Sequence, residues 1–232
     1  MNGAGTETVR TPDSTGLGRV VRWLVNKDWD DWIETIAVIL LATASLAAAW
    51  SGYQASVWGG EQSALYTQAS ARRVLATEAS TNAYLYMIID IETFNHFVTA
   101  YEQGNEQLMV FHERQFSERL RPAFDAWMET DPLTNPGAPG SPFEMSEYLV
   151  PARERAAQLQ DEADALFEAG EHANEQSDGY VLNTVFLATV LFFAGIVTKV
   201  KGRPGRTVII ALGILLLVFG IYHVATLPVD LG

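Results

Sequence analysis

Three long stretches of this chain carry no Asp, Glu, Lys or Arg and are separated by charged regions. They are residues 35–60, 179–198 and 207–229. A helix needs about 20 consecutive apolar residues to cross the hydrocarbon core of a bilayer. The pattern therefore predicts three transmembrane helices, which we place at residues 32–58, 180–200 and 207–227.

A cluster of basic residues between the second and third stretches orients these helices. It consists of Lys199, Lys201, Arg203 and Arg206. Short loops rich in Lys and Arg stay in the cytoplasm, so we expect residues 201–206 to form a cytoplasmic turn. Basic residues in the N-terminal tail place that end on the same side. We expect a multi-pass protein of the cell (inner or plasma) membrane, with its N-terminus inside and its C-terminus outside.

The segment between the first and second predicted spans is strongly acidic. Residues 59–179 hold 21 of the 28 acidic residues, and all their basic residues are Arg. We expect this segment to be an extracytoplasmic bundle. The chain's net charge of −13 argues against a nucleic-acid partner, which needs a basic surface. The chain has no cysteine, which excludes disulfides and thiolate metal sites.

Helical periodicity recurs throughout the acidic segment. Apolar spacings of three, four and seven predict helices at residues 61–103 and 105–129. Residues 130–142 are rich in Pro and Gly and are expected to form a loop, either a binding loop or only a connection. Ser141, Pro142 and Glu144 resemble an N-cap, a first helical proline and a capping-box acid, so a short helix should follow. Pro151 should interrupt that helix, with a kink or a restart before one long helix.

Two patterns of small residues predict close helix packing. The first span carries Ala44, Ala48, Gly52 and Ser56 at strict four-residue spacing, which lets another helix backbone approach. The later helix carries a heptad seam that continues into the second span. The seam residues are Ala152, Ala156, Leu159, Ala163, Leu166, Gly170 and Ala173. The neighbour of the first set is either the second span or another copy of the chain.

The two ends and the first span complete the domain plan. Residues 1–31 are expected to form a partly disordered cytoplasmic tail, and residues 228–232 a short external tail. The alanine run at residues 47–49 also fits a signal-peptide cleavage site. However, acidic residues crowd the region where a signal peptide would be positively charged. We therefore expect the first span to be retained.

No pattern in the chain specifies a catalytic chemistry. Glu92 and His96 lie one helical turn apart, and with His112 they are the weak candidates for a metal site. Such i,i+4 pairs commonly serve only the helix surface, so we expect neither metal nor cofactor and no enzyme activity. The span centres also lack the acidic and basic residues of proton-coupled carriers.

Two short runs give the chain a resemblance. Residues 50–55 read W-S-G-Y-Q-A, and residues 142–148 read P-F-E-M-S-E-Y. With its closing pair of spans, the chain resembles uncharacterised small prokaryotic membrane proteins that share a domain of unknown function. These carry a W-x-x-Y-Q-A signature at the exit of the first transmembrane helix. The resemblance implies this architecture and no activity, substrate or catalytic residue.

The sequence thus predicts an all-α integral membrane protein with an extracytoplasmic helical bundle between its first two spans. Its expected function is non-enzymatic: self-association in the bilayer, with the outer bundle as an interaction or sensing module. Its expected partners are lipid and either a second copy or another membrane protein. The alternative is a homo-oligomeric ion-conducting pore with an acidic outer vestibule that prefers cations.

Overall fold

The computed structural model describes residues 28–231, apart from the side chain of Asp30. The predicted N-terminal tail therefore lies mostly outside the described residues. The described part is all-helical, as the sequence predicted, with no strand. Its α-helices are α1 (Trp29–Glu102), α2 (Glu106–Glu113), α3 (Leu120–Met128), α4 (Pro151–Ile196) and α5 (Arg203–Thr226). Two short 3-10 turns lie at Pro142–Glu144 and Val197–Lys199.

Helix α1 runs without a break through the glycine pair at residues 59–60, although each interior glycine costs roughly 1 kcal/mol relative to alanine. A glycine just beyond its last residue caps the C-terminus of the helix. Gly104 adopts a φ of +63°, and its N–H bonds to the Tyr101 carbonyl (3.0 Å) while Asn105 N–H bonds to the Ala100 carbonyl (3.0 Å). This is the Schellman arrangement, which glycine allows because it has no Cβ.

The chain divides into two units, with boundaries at residues 59/60 and 174/175. The described part of the first unit is residues 28–59 and 175–231. The second unit is residues 60–174. Three helices are long and apolar enough to span a membrane, and they correspond to α1, α4 with its following 3-10 turn, and α5.

The core of the first unit is a seam of small and branched residues. Ala37, Ala44 and Ser51 recur every seven residues in α1, and all are buried. Tyr180, Leu187 and Ala194 do the same in α4 and are also buried. A seven-residue repeat keeps one face of each helix on its neighbour, as in left-handed coiled coils. In α5, a Cβ at Gly220 would lie 3.2 Å from Leu187 Cδ2, so the glycine permits close approach.

The turn between α4 and α5 is tighter than the sequence suggested. Helix α5 starts at Arg203, inside the predicted turn at residues 201–206, with Pro204 in its first turn. Gly202 adopts a φ of +93°, which reverses the chain in few residues. Arg206 Nε donates a hydrogen bond to the Val200 carbonyl at 2.9 Å. Arg206, one of the four basic residues, therefore forms a hydrogen bond within the turn.

The second unit has an aromatic core. It packs one end of α1 against α3 and the following loop. The buried members are Phe94, Phe97, Leu120, Phe124 and Trp127. Ring contacts are mostly edge-to-face, with centroids 5.0 Å apart for Phe97 and Phe124. Such pairs add about 0.5–1.5 kcal/mol beyond the burial of their area.

The prediction of one helix at residues 105–129 is wrong, because the structure breaks it into α2 and α3. The break lets the Phe116 ring pack on the aromatic core, where its centroid lies 4.8 Å from that of Phe124 and 5.8 Å from that of Phe97. Ser117 Oγ then accepts a hydrogen bond from Leu120 N–H at 3.1 Å, at the start of α3. Burial of an aromatic ring outweighs continued helix propensity here.

The predicted loop at residues 130–142 consists of turns and bends, fastened by a bond from Trp127 Nε1 to the Pro139 carbonyl at 2.7 Å. The short helix after it is a single 3-10 turn. Ser141 caps no backbone N–H with its side chain. Instead, Glu144 reaches back and accepts from Gly140 N–H at 3.4 Å. The predicted capping box is therefore not formed, because Glu144 binds the N–H of the residue before Ser141.

Candidate functional site

The second unit contains a buried carboxylate. Ala69, Ala76, Ala83 and Asp90 recur every seven residues on α1, and all four are buried. Asp90 thus occupies an apolar seam position with a side chain only 1% exposed. A buried charge is costly unless it is paired and hydrogen-bonded, so its partners matter.

Two residues from distant parts of the unit satisfy Asp90. Arg119, just before α3, donates from Nε (3.1 Å) and Nη2 (3.3 Å) to the two carboxylate oxygens. Tyr148, in the segment before α4, donates its hydroxyl to Oδ2 at 3.0 Å. Two donors on Arg and one on Tyr leave the carboxylate well compensated. We call these three residues the Asp90 cluster.

The surroundings of the Asp90 cluster hold Tyr148 in its neutral form. Burial of the ring, followed by the hydrogen bond to Asp90 and the charge of that carboxylate, raises the pKa of Tyr148 well above its usual value. The Arg119 charge acts in the opposite direction but is smaller. The hydroxyl therefore remains a donor to Asp90 at every physiological pH.

Aromatic rings fix the positions of the cluster. The Arg119 guanidinium stacks over the Tyr86 ring, with 4.5 Å between Arg119 Cζ and the ring centroid. Phe143 packs edge-to-face on Tyr148 with centroids 5.1 Å apart, and also on Phe94 at 5.7 Å. The cluster is thereby joined to the aromatic core, which restrains the Tyr148 ring.

A cleft of about 350 Å³ opens beside Tyr148. One wall is α1, and the opposite wall is the segment from Phe143 into the first turn of α4. The residues lining it are Ser80, Ala83, Tyr84, Met87, Phe143, Tyr148, Val150 and Arg153. Its walls are mainly apolar or aromatic, with one cationic group. This is the composition typical of a small-molecule site.

The first unit has a polar site of its own, near residue 54. Gln54 is fully buried and forms two hydrogen bonds with the backbone of Asp230. Gln54 Nε2 donates to the Asp230 carbonyl at 2.7 Å, and the Asp230 N–H donates to Gln54 Oε1 at 3.1 Å. Trp58 Nε1 and the Tyr180 hydroxyl both donate to the Pro228 carbonyl, at 3.2 and 3.0 Å. These side chains fasten the segment after α5 to α1 and α4.

A buried hydrogen bond also joins α1 to α4. Asn183 Nδ2 donates to Ser51 Oγ at 2.9 Å, and the Ser51 hydroxyl donates to the Ala47 carbonyl at 2.9 Å. Both side chains are fully buried. A side-chain hydrogen bond in an apolar helix interface specifies which faces meet.

The predicted packing residues differ in where they lie. In the first-span set, Ala44 is fully buried and Ala48 partly buried, whereas Gly52 and Ser56 are exposed. A Cβ placed on Gly52 would have no neighbour within 4 Å. All seven α4 seam residues are at least partly buried, and Leu159, Ala163, Gly170 and Ala173 are fully so. A Cβ on Gly170 would lie 2.6 Å from the Tyr66 ring, so this position requires glycine.

The weak metal candidates come close together but form no complete site. His96 Nε2 lies 3.4 Å from Glu92 Oε1, and the His96 and His112 rings stack with centroids 5.3 Å apart. Both Glu92 and His96 are largely exposed. Within residues 28–231, no three His, Cys, Asp or Glu side chains are grouped so as to hold a metal ion.

Comparison of the chain with protein families, with curated proteins and with solved structures finds no match. The resemblance drawn from residues 50–55 therefore stays a prediction. The structure nevertheless gives two residues of that run roles within the fold, since Ser51 bonds to Asn183 and Gln54 binds the chain after α5.

The sequence analysis assigned no structural role to four residues that the structure places in polar contacts, which are Asp90, Arg119, Tyr148 and Gln54. For Asp90 a signal was present, because a lone acid follows three alanines at seven-residue spacing on the inner face of a helix. A charge at such a position requires a buried partner. The partner's identity was not readable, since Arg119 and Tyr148 lie 29 and 58 residues further on.

Proposed function

We propose that this chain is a non-enzymatic membrane protein that self-associates, with the second unit as an extracytoplasmic interaction or sensing module. Its N-terminus and the basic turn before α5 would face the cytoplasm. Charge supports this orientation, since Lys199 and Lys201 are exposed at that turn while the second unit is rich in acids.

The surface of the first unit supports placement in lipid. Large apolar side chains cover the outward faces of its helices, well apart from the buried seam. They include Val38 (59% exposed), Leu46 (75%), Phe192 (61%), Leu215 (64%) and Val218 (61%). In water, so large an apolar surface would cause aggregation, whereas hydrocarbon chains solvate it without cost.

The observation that carries self-association is an apolar face on α1 within the second unit. Val74, Leu85, Ile88 and Ile89 are exposed there by 67%, 49%, 43% and 57%. They lie on the side of the helix away from the alanine seam. Positions 74, 85 and 88 belong to one heptad register, in which Glu78 and Thr81 also fall. We call this set the outer face of α1.

The occupant that we assign to the outer face is a second copy of the chain. Copies held in one bilayer are parallel, so a two-fold contact brings Leu85 near Leu85 and Ile88 near Ile88. The face covers about four helical turns, less than the roughly 800 Å² per partner of a stable soluble interface. Confinement to the bilayer raises the effective concentration and compensates for this small area.

Single cysteines test this contact, because the chain has none of its own. Ile88→Cys in native membranes should form a disulfide-linked dimer under mild oxidation, since a two-fold contact brings the paired Cα atoms within about 7 Å. Gln158→Cys is the control, being exposed on α4 in the same unit. Equal crosslinking at both positions, or none at position 88, would refute the proposed contact.

A further inference from the structure

We propose that the cleft beside Tyr148 binds a small monocarboxylate with an apolar or aromatic body. The inference rests on the proposed function, because it gives the sensing module its ligand. The cleft lies wholly within the second unit, between α1 and the segment from Phe143 to Arg153.

The volume and the walls define the body of the ligand. A cleft of about 350 Å³ is near the lower end of ligand pockets, which run from about 300 to 1,000 Å³. Ala83, Met87 and Val150 give aliphatic contacts, and Phe143 and Tyr84 add rings. Tyr84 is 60% exposed, so its ring is available to cover a bound molecule. A single aromatic ring with a short chain fits these walls.

Arg153 defines the charge of the ligand. Most arginines of this acidic unit are paired, for example Arg72 with Glu162 at 3.3 Å and Arg121 with Glu113 at 3.0 Å. Within the described residues, Arg153 lines the cleft and forms no ion pair. A guanidinium presents paired donors that match the two oxygens of a carboxylate.

The remaining polar groups select a monoanion. No second cationic side chain lines the cleft among the described residues, so a dianion such as a phosphate monoester would be only half neutralised. The acidic surroundings add repulsion against higher charge. Ser80, on the α1 wall, supplies a hydroxyl for a further hydrogen bond.

The Asp90 cluster prepares the cleft for binding. Tyr148 forms part of the wall, and its hydroxyl is already held by Asp90 at 3.0 Å. Phe143 is held by Phe94 and Tyr148. Walls that are ordered before binding cost little entropy when the ligand arrives, which raises affinity.

The test measures binding to the full chain in lipid nanodiscs by 19F NMR. The probes are 3-(4-fluorophenyl)propanoate, the matching neutral amide and 4-fluorophenyl phosphate. The carboxylate should bind at least ~10-fold more tightly than the amide, since a charge-assisted pair is lost. It should also bind more tightly than the phosphate.

Two variants separate the Arg153 guanidinium from general positive charge. Arg153→Gln should reduce carboxylate affinity by ~10-fold or more and leave the amide unchanged. Arg114→Gln, at an exposed arginine that also lacks an ion pair and lies outside the cleft, should change neither. Ser80→Trp should fill the cleft and remove binding of both probes while the helix content stays unchanged.

Equal affinity for acid and amide, equal loss in both arginine variants, or no binding by any probe at 10 mM would overturn the proposal. Preference for the phosphate would overturn the monocarboxylate assignment. Crosslinking of Ile88→Cys is measured on the same preparations. Retained crosslinking without binding would refute the cleft alone, whereas binding without crosslinking would refute only self-association.

Discussion

At the residue scale, Asp90 is a buried carboxylate held by Arg119 and Tyr148. Asp90→Ala should lower the free energy of unfolding by about 3–5 kcal/mol, because Arg119 is then left charged, partly buried and unpaired. Glu92→Ala is the matched control, since Glu92 is exposed on the same helix and should cost at most about 0.5 kcal/mol. Thermal or urea unfolding in nanodiscs measures both. Equal effects would show that the cluster contributes no special stability.

Tyr148 gives the same cluster a dependence on pH. Its pKa is raised above the unfolded value of 10.0, so the unfolded chain loses this proton first as the pH rises. The stabilising contribution is complete below pH 10 and declines as the pH rises above it. Between pH 10 and pH 11, the free energy of unfolding should therefore fall less steeply with pH in Tyr148→Phe than in the native chain, as measured by urea unfolding at each pH. Parallel pH profiles would count against a raised pKa of Tyr148 in the folded chain.

At the element scale, Gln54 fastens the chain after α5 to α1. Gln54→Ala removes both amide bonds to the Asp230 backbone, at about 0.5–1.5 kcal/mol each. The Asp230 amide should then exchange with deuterium roughly 10-fold faster or more. Gln68→Ala, at an exposed position further along α1, should leave that exchange rate unchanged. Unchanged exchange in the Gln54 variant would show that other contacts hold the segment.

The elements themselves were predictable where periodicity was long. The length of α4 followed from its heptad seam, and α1 joins the predicted span at residues 32–58 to the predicted helix at residues 61–103. The loop at residues 130–142 followed from its Gly and Pro residues. The break between α2 and α3 did not, because it depends on Phe116 reaching rings that lie elsewhere in the chain. Local propensity contains no information about such distant contacts.

At the scale of the whole molecule, the uncharged stretches predicted the three long apolar helices but not the cleft beside Tyr148. Three apolar helices follow directly from uncharged stretches, since length and hydropathy suffice to find them. The cleft beside Tyr148 was not foreseen, because it needs α1 and the segment from Phe143 to Arg153 side by side. The small-residue set of the first span was only half informative. Ala44 is buried against other helices of the same chain, whereas a Cβ on Gly52 would have no neighbour within 4 Å.

The Asp90 cluster also has a consequence for biogenesis. The ribosome makes Asp90 before either of its partners, with Arg119 29 residues later and Tyr148 58 residues later. Until then, the nascent α1 carries an uncompensated carboxylate at the end of its alanine stripe. A charge at such a position is costly to bury without partners, so close pairing of newborn chains along this stripe would be unfavourable. The native set of donors to Asp90 is complete only once residue 148 has been made.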